Sequence, residues 1–298
     1  MTLLGPPPAP VAPTHRGSRR IAATAVLTLA SVLLGFAAYL ALLSQLHFDR
    51  AQHTAYANFR TELAQATAPT GPTVPGDPRT LLPLGSPVAV LAIPAIGLRD
   101  VVFEGTTGEV LQDGPGHLRD TVLPGQGGLS EILGRATTFG GPFGRLDELN
   151  PGQVITVTTG QGASRFLIID IRRAGDPQPA PVAAGAGRLV LATADGSSFL
   201  PTGVLRVDAD LISATLSTSP PAFTEPDLPA SEQLLAGNPT AWLPLVLWGQ
   251  ALVGSACLIA WAAARWGRWQ VWIVAVPVLG YLGVEVAAQA SNLLLNLM

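Results

Sequence analysis

Chemistry by a thiol, an amine or an imidazole has few places to occur in this chain. The one cysteine, Cys257, sits inside an apolar run, where it packs as a small hydrophobe and has no second cysteine to pair with. All 17 basic residues are arginine, so no lysine is present to act as a nucleophile. Of the four histidines, His15, His47 and His53 precede the polar middle of the chain and leave His117 within it. Asp195-Gly196-Ser197-Ser198 offers two hydroxyls, and a serine nucleophile would need a base, for which His117 is the candidate. The same four residue types favour a tight turn, which is the preferred reading.

Other chemistries find less material. Asp147-Glu148, and Asp208 with Asp210, supply carboxylates but no converging Cys/His set, so no metal is assigned. Gly125 to Gly128 lacks the Gly-Lys-Ser/Thr sequence and helix of a phosphate loop, and no cofactor is expected. A net charge of -3 with dispersed arginines argues against nucleic acid as a partner. Glu285 lies in an apolar run with Gln289 and Asn292 on about the same helical face, and helix packing against Gln250 is the favoured reading over proton transport.

The elements that must position these groups follow from a composition that is 48% hydrophobic and only 12% charged, with a mean hydropathy of +0.38. Residues 1–20 are Pro-rich and end in Arg16, Arg19 and Arg20; 21–46 is an uncharged run long enough to cross a bilayer as a helix. The arginines predict a cytoplasmic N-terminus. Residues 47–83 read as an extracytoplasmic continuation of the helix and then a linker, and 84–212 as short strands punctuated by Gly, Pro, Asn and Asp, a closed all-β domain. Residues 213–239 form a Pro-rich, acidic stretch expected to be a solvated tether. Two further apolar runs, 240–264 and 269–298, flank a turn at 265–268 whose arginines belong in the cytoplasm, which would place the C-terminus outside.

Several motifs fall in one order: Val88 to Leu98, Val101-Val-Phe-Glu-Gly-Thr106, Gly114-Pro-Gly-His117, Leu123-Pro-Gly125, Gly134-Arg-Ala-Thr-Thr-Phe-Gly140, Arg145-Leu-Asp-Glu-Leu-Asn-Pro-Gly152 and Leu189-Val-Leu-Ala-Thr-Ala194. Together they resemble actinobacterial sortases of class E or D-like type. The resemblance implies a mainly β fold, an eight-stranded closed barrel, here with one N-terminal and two C-terminal transmembrane helices. In active members it implies a cysteine that attacks a Thr-Gly bond of an LPXTG-like signal, a histidine that handles the leaving amine, and an arginine that stabilises the oxyanion. At the matching positions this chain has Ala194, Arg135 and Val204. An alanine has no attacking atom, and an arginine stays protonated where imidazole would exchange its proton.

These departures imply a pseudosortase at the cell surface that binds rather than transfers. Its expected partners are the membrane and a surface-protein tail, a peptidoglycan component or another membrane protein. Candidate binding residues are Arg135, Thr138, Asp195, Ser198, Arg206 and His117. Arg206 shares a strand face with Val204 and so approaches the groove. Arg135 and Asp195 are expected to flank the emptied site, close enough to form an ion pair. The alternative is a cysteine-independent transpeptidase or hydrolase using Ser197 or Ser198 with His117; a third reading makes the chain a structural subunit of a membrane complex.

Overall fold

The computed structural model describes residues 35, 39, 43–197, 200–237, 242–266, 268–291, 293 and 295–298. The chain divides into two compact units, Met1–Ala38 and Tyr39–Met298. The first expected membrane span, residues 21–46, lies for the most part outside the described residues, as do Ser198 and Asn292.

Eight strands close into a barrel: β3 (Pro87–Ile93), β4 (Leu98–Glu104), β5 (Gly116–His117), β6 (Gly128–Leu133), β7 (Val154–Thr159), β8 (Gly162–Arg172), β9 (Gly187–Ser197) and β10 (Leu200–Leu211). Their order around the wall is β10-β8-β7-β3-β4-β5-β6-β9, with β9 returning to β10. The pairs β4/β5 and β6/β9 are parallel and the others antiparallel. Val154–Thr159 alternates in burial because only one face meets the interior, where Ile155 and Val157 are fully buried. The near-continuous apolar run of β3 has a different cause. Val88, Leu91 and Ile93 face the interior, while Val90 packs outward in a second cluster with Ala55 and Phe59.

Those last two residues belong to helix α1 (Ser44–Gln65), which lies against the barrel wall. Phe48, Ala55 and Phe59 form its buried stripe. Gln52 secures it by accepting from the Val101 amide at 2.7 Å and donating to the carbonyls of Val101 and Asp113. Between α1 and the barrel the sequence reading gave only a linker. A small hairpin forms there from β1 (Thr73–Val74) and β2 (Asp77–Leu81), and one helical turn, α2 (Val110–Asp113), precedes β5.

The stretch after the barrel departs from expectation. Residues 212–236 lie on the barrel rather than forming a solvated tether. Leu216 donates its amide to the Gly125 carbonyl, Phe223 donates to the Arg119 carbonyl, and Leu228 and Glu232 are buried. Pro and acidic content marks a segment without regular structure, but here specific side chains still find sockets.

Two long helices follow, α3 (Trp242–Trp266) and α4 (Arg268–Ser291). Each holds a window apolar and long enough to cross a membrane, Trp242–Ile259 and Ile273–Ser291. They meet through Trp248 and Tyr281, whose rings stand edge to face at 6.2 Å, and Glu285 lies one turn beyond Tyr281 on α4.

Candidate functional site

The register of β9 and β10 sets Ala194 directly opposite Val204 and Ala192 opposite Arg206. Gly134 ends β6 alongside them, donating its amide to Ala192 and accepting from the Thr193 hydroxyl at 2.8 Å. A Cβ on Gly134 would lie 2.5 Å from the Phe143 ring, so only glycine lets the chain pass there. The next residue, Arg135, bonds the carbonyl of Leu111, a residue that shares a buried cluster with Val204 and the adjoining Ala194.

Arg135 is fully buried. Its Nε donates to the Leu111 carbonyl at 3.1 Å, Nη2 to Gly108 at 2.8 Å, and Nη1 to both Thr138 Oγ1 and the Met298 backbone oxygen at 3.1 Å. The guanidinium also stands 5.0 Å from the centre of the Phe139 ring. Burial lowers its pKa to about 10, which still leaves it charged near neutrality. The expected ion pair with Asp195 does not form. Asp195 lies towards the exposed end of the β9–β10 hairpin and meets Arg173 at 3.4 Å instead. The physical reason is reach: Arg135 is buried among peptide carbonyls, while Asp195, paired with Gly203 near the end of the β9–β10 ladder, holds its partly exposed carboxylate beside Arg173.

The groove beside Arg135 is filled by the chain itself. Leu297 is fully buried in one cluster with Leu111, Leu133, Ala192 and Val204, against which Ala194 packs. Its carbonyl accepts from the Ala136 amide at 2.9 Å. Asn296 donates through Nδ2 to the Thr106 and Gln233 carbonyls, and its own amide donates to Ala236. Thr138 Oγ1 donates to Met298.

Residues 223–236 form a strap along the same groove. Arg119 grips Glu232 with Nε and Nη2, the first bond at 2.9 Å, and lies 4.7 Å over the Phe223 ring. Beneath the strap is an open cleft of about 970 Å³ lined by Asp120, Glu131, Arg206, Leu129, Pro226 and Gln233, among others. Glu131 and Arg206 approach to 3.9 Å. Burial raises the Glu131 pKa to about 7 against the pull of Arg206, with Asp120 and Asp208 adding to the rise.

His117 lies behind the wall of this cleft, buried in β5 and bonded to the lining residues Thr121 and Val122. Its Nδ1 faces Glu104 at 3.1 Å and its Nε2 faces the Val122 carbonyl at 3.0 Å. Burial disfavours its charge, but Glu104, the Val122 carbonyl and Asp120 outweigh that and raise its pKa. Glu104 at Nδ1 and the Val122 carbonyl and Thr121 hydroxyl at Nε2 occupy both ring nitrogens, so neither is turned towards a serine. The carboxylates of Asp208 and Asp210 are engaged by Arg172 and Arg188.

The 297–298 segment thus links Arg135, Thr138, Ala194 and Val204 around one socket, while Arg206 lines the adjoining cleft, His117 is buried behind its wall, and Asp195 lies elsewhere. Sequence reasoning missed Glu131, Arg119, Glu232 and the 295–298 segment. Glu131 carried a signal, a lone charge inside the apolar strand Leu129-Ser-Glu-Ile-Leu133. The others carried none, because their partners lie 60 or more residues away in sequence, 113 for Arg119 with Glu232 and up to 190 for Asn296 with Thr106.

Residues 91–195 match the sortase domain family. The barrel is a sortase domain. Among solved structures, the chain resembles the sortase D5 transpeptidase of Clostridium perfringens at 21% identity, over 56% of this chain and 98% of that one, with a TM-score of 0.43. It resembles sortase E of Streptomyces avermitilis at 28% identity, over 51% and 100% of the two chains, with a TM-score of 0.38. A third, sortase C of Clostridium perfringens with the C-terminal cell wall sorting motif, has 17% identity over 55% and 89%, with a TM-score of 0.41. Comparison with curated proteins gives no match.

Proposed function

We propose that this is a membrane-anchored sortase-domain protein that binds peptide without catalysing its transfer. The observation that carries the reading is the occupied socket: Leu297 packs in the cluster that includes Val204 and Ala194, and Arg135 holds the backbone of the same segment. A transpeptidase needs a nucleophile, a proton carrier and a fixed positive charge at these positions. Ala194 supplies no heteroatom, and Arg135 spends its donors on carbonyls. The engagement of both His117 nitrogens weighs against the serine alternative.

The topology is consistent with an exported barrel. Segment 295–298 touches the barrel, so both belong on one side of the membrane, and two candidate spans between them return the chain to that side. Ligand classes that suit the groove are a surface-protein tail or a segment of another membrane protein, held by Arg135, Thr138 and Arg206.

The test is transfer or cleavage of an LPXTG-type peptide by the detergent-solubilised chain, with an amine acceptor present. No turnover is expected. Turnover that disappears in Ser198→Ala or His117→Ala would refute the reading.

A further inference from the structure

We infer that the socket around Arg135 is a peptide-binding site whose resident ligand is the chain's own segment Leu295–Met298, held in cis, so that the barrel grips the residues emerging from the α3–α4 hairpin and keeps other peptides out. The inference rests on the groove being a binding site, as proposed above.

Three observations carry it. The contacts are those of peptide recognition rather than of apolar packing alone. One amide-to-carbonyl bond joins Ala136 to Leu297, as when a strand adds to an edge; one side chain, Leu297, fills an apolar pocket; and one side-chain amide, Asn296, is read by two carbonyls on separate segments. Arg135 and Thr138 converge on a single oxygen, that of Met298.

The second observation concerns residue type. A thiolate and a guanidinium at the Ala194 and Val204 positions would place two polar groups in the buried cluster that receives Leu297. The residues present make that space apolar. Arg135, in turn, gives the pocket a donor on the side where the peptide backbone runs. All three changes that remove transfer chemistry also favour a leucine-bearing strand.

The third is reach. Three residues separate Ser291, where α4 ends, from Leu295. Even fully extended, that connection spans about 14 Å. A segment so short, leaving a helix long enough to cross a membrane, finds its own barrel far more readily than a partner's. The seat is also incomplete, since Asn296 Oδ1 is buried without a hydrogen-bond donor. A peptide that supplies or omits that group suitably would compete for the socket, and its release would lengthen the adjoining cleft.

The experiment uses the full chain in native membranes, with Cys257→Ser as background and the pair Ala136→Cys and Met298→Cys. Mild oxidation is expected to form an intramolecular disulfide in the monomer. Leu297→Asp and, separately, Leu297→Ala should slow its formation at least tenfold while the barrel keeps its circular dichroism, and synthetic acetyl-Leu-Leu-Leu-Asn-Leu-Met added in excess should slow it in the parent pair. A disulfide formed only between chains would overturn the cis assignment. Failure to form one while the Ala136→Cys thiol reacts freely with maleimide would overturn the socket itself. Turnover of a sorting-signal peptide by Leu297→Asp alone would sink the non-catalytic reading and leave the socket standing, so the two failures are distinguishable.

Discussion

Removal of the Glu232 carboxylate should open the strap without unfolding the barrel. Arg119 and Glu232 form a two-point ion pair whose side chains are 10% and 1% exposed. Deleting one member of such a pair leaves the other charge buried, at a cost of about 3–5 kcal/mol. Arg119 keeps only its contact with the Phe223 ring, and that ring is itself part of the strap. Because the strap follows β10 and joins the barrel through side chains and isolated backbone bonds such as Phe223 to Arg119 rather than a strand ladder, the cost falls on local opening. At about 1.4 kcal/mol per factor of ten, the open population should rise by roughly two to three and a half powers of ten. Limited proteolysis of the full chain in detergent reads this directly when opening is fast relative to cleavage. Glu232→Ala should be cut within 212–239 at least a hundredfold faster, while Arg119→Met combined with Glu232→Leu should approach the parent rate, since an apolar pair of similar volume replaces the ionic one. A change below threefold in Glu232→Ala would show that the strap is held by something other than this pair.

Two further measurements test the site's surroundings. Glu131, raised from 4.5 to about 7, holds its proton more tightly in the folded state, so stability should rise as pH falls from 8 to 6, by about 1 kcal/mol from this group. His117, also raised, acts in the same direction, since its contribution is present at low pH and is lost as pH rises through its folded pKa. Chemical denaturation at the two pH values should show the slope, Glu131→Gln should reduce it by about 1 kcal/mol, and a flat profile in the parent chain would contradict the burial of Glu131. Gly140 has φ +78°, and a Cβ there would lie 2.5 Å from the Phe48 ring. Gly140→Ala should therefore cost at least about 1 kcal/mol by combining left-handed strain with a clash against α1, a loss visible as a lowered Tm.

Much of the barrel was legible because its determinants are local. Short apolar runs between turn residues marked β3, β7 and β9, and the β9–β10 register sets Ala194 opposite Val204. Spacing within a strand also put Arg206 on the Val204 face, which is where the cleft finds it. The expected Arg135–Asp195 pair failed for the opposite reason. Which way each side chain turns at the end of a strand depends on distant segments: Gly108 and Leu111 capture Arg135, and Arg173 captures Asp195.

The sequence by itself determined that Ala194 carries no attacking atom and that Arg135 carries no imidazole, because chemical identity is a property of residue type. It also determined that the chain carries long apolar runs, because hydropathy sums over neighbours. Only the tertiary structure decided that the groove beside Arg135 is filled, that residues 223–236 form a strap, and that Glu131 is buried beside Arg206. These depend on pairings such as Arg135 with Met298 and Arg119 with Glu232, formed across separations of 163 and 113 residues. No pattern in the intervening sequence encodes them, because each is fixed only when closure of the barrel brings its partners within hydrogen-bond reach.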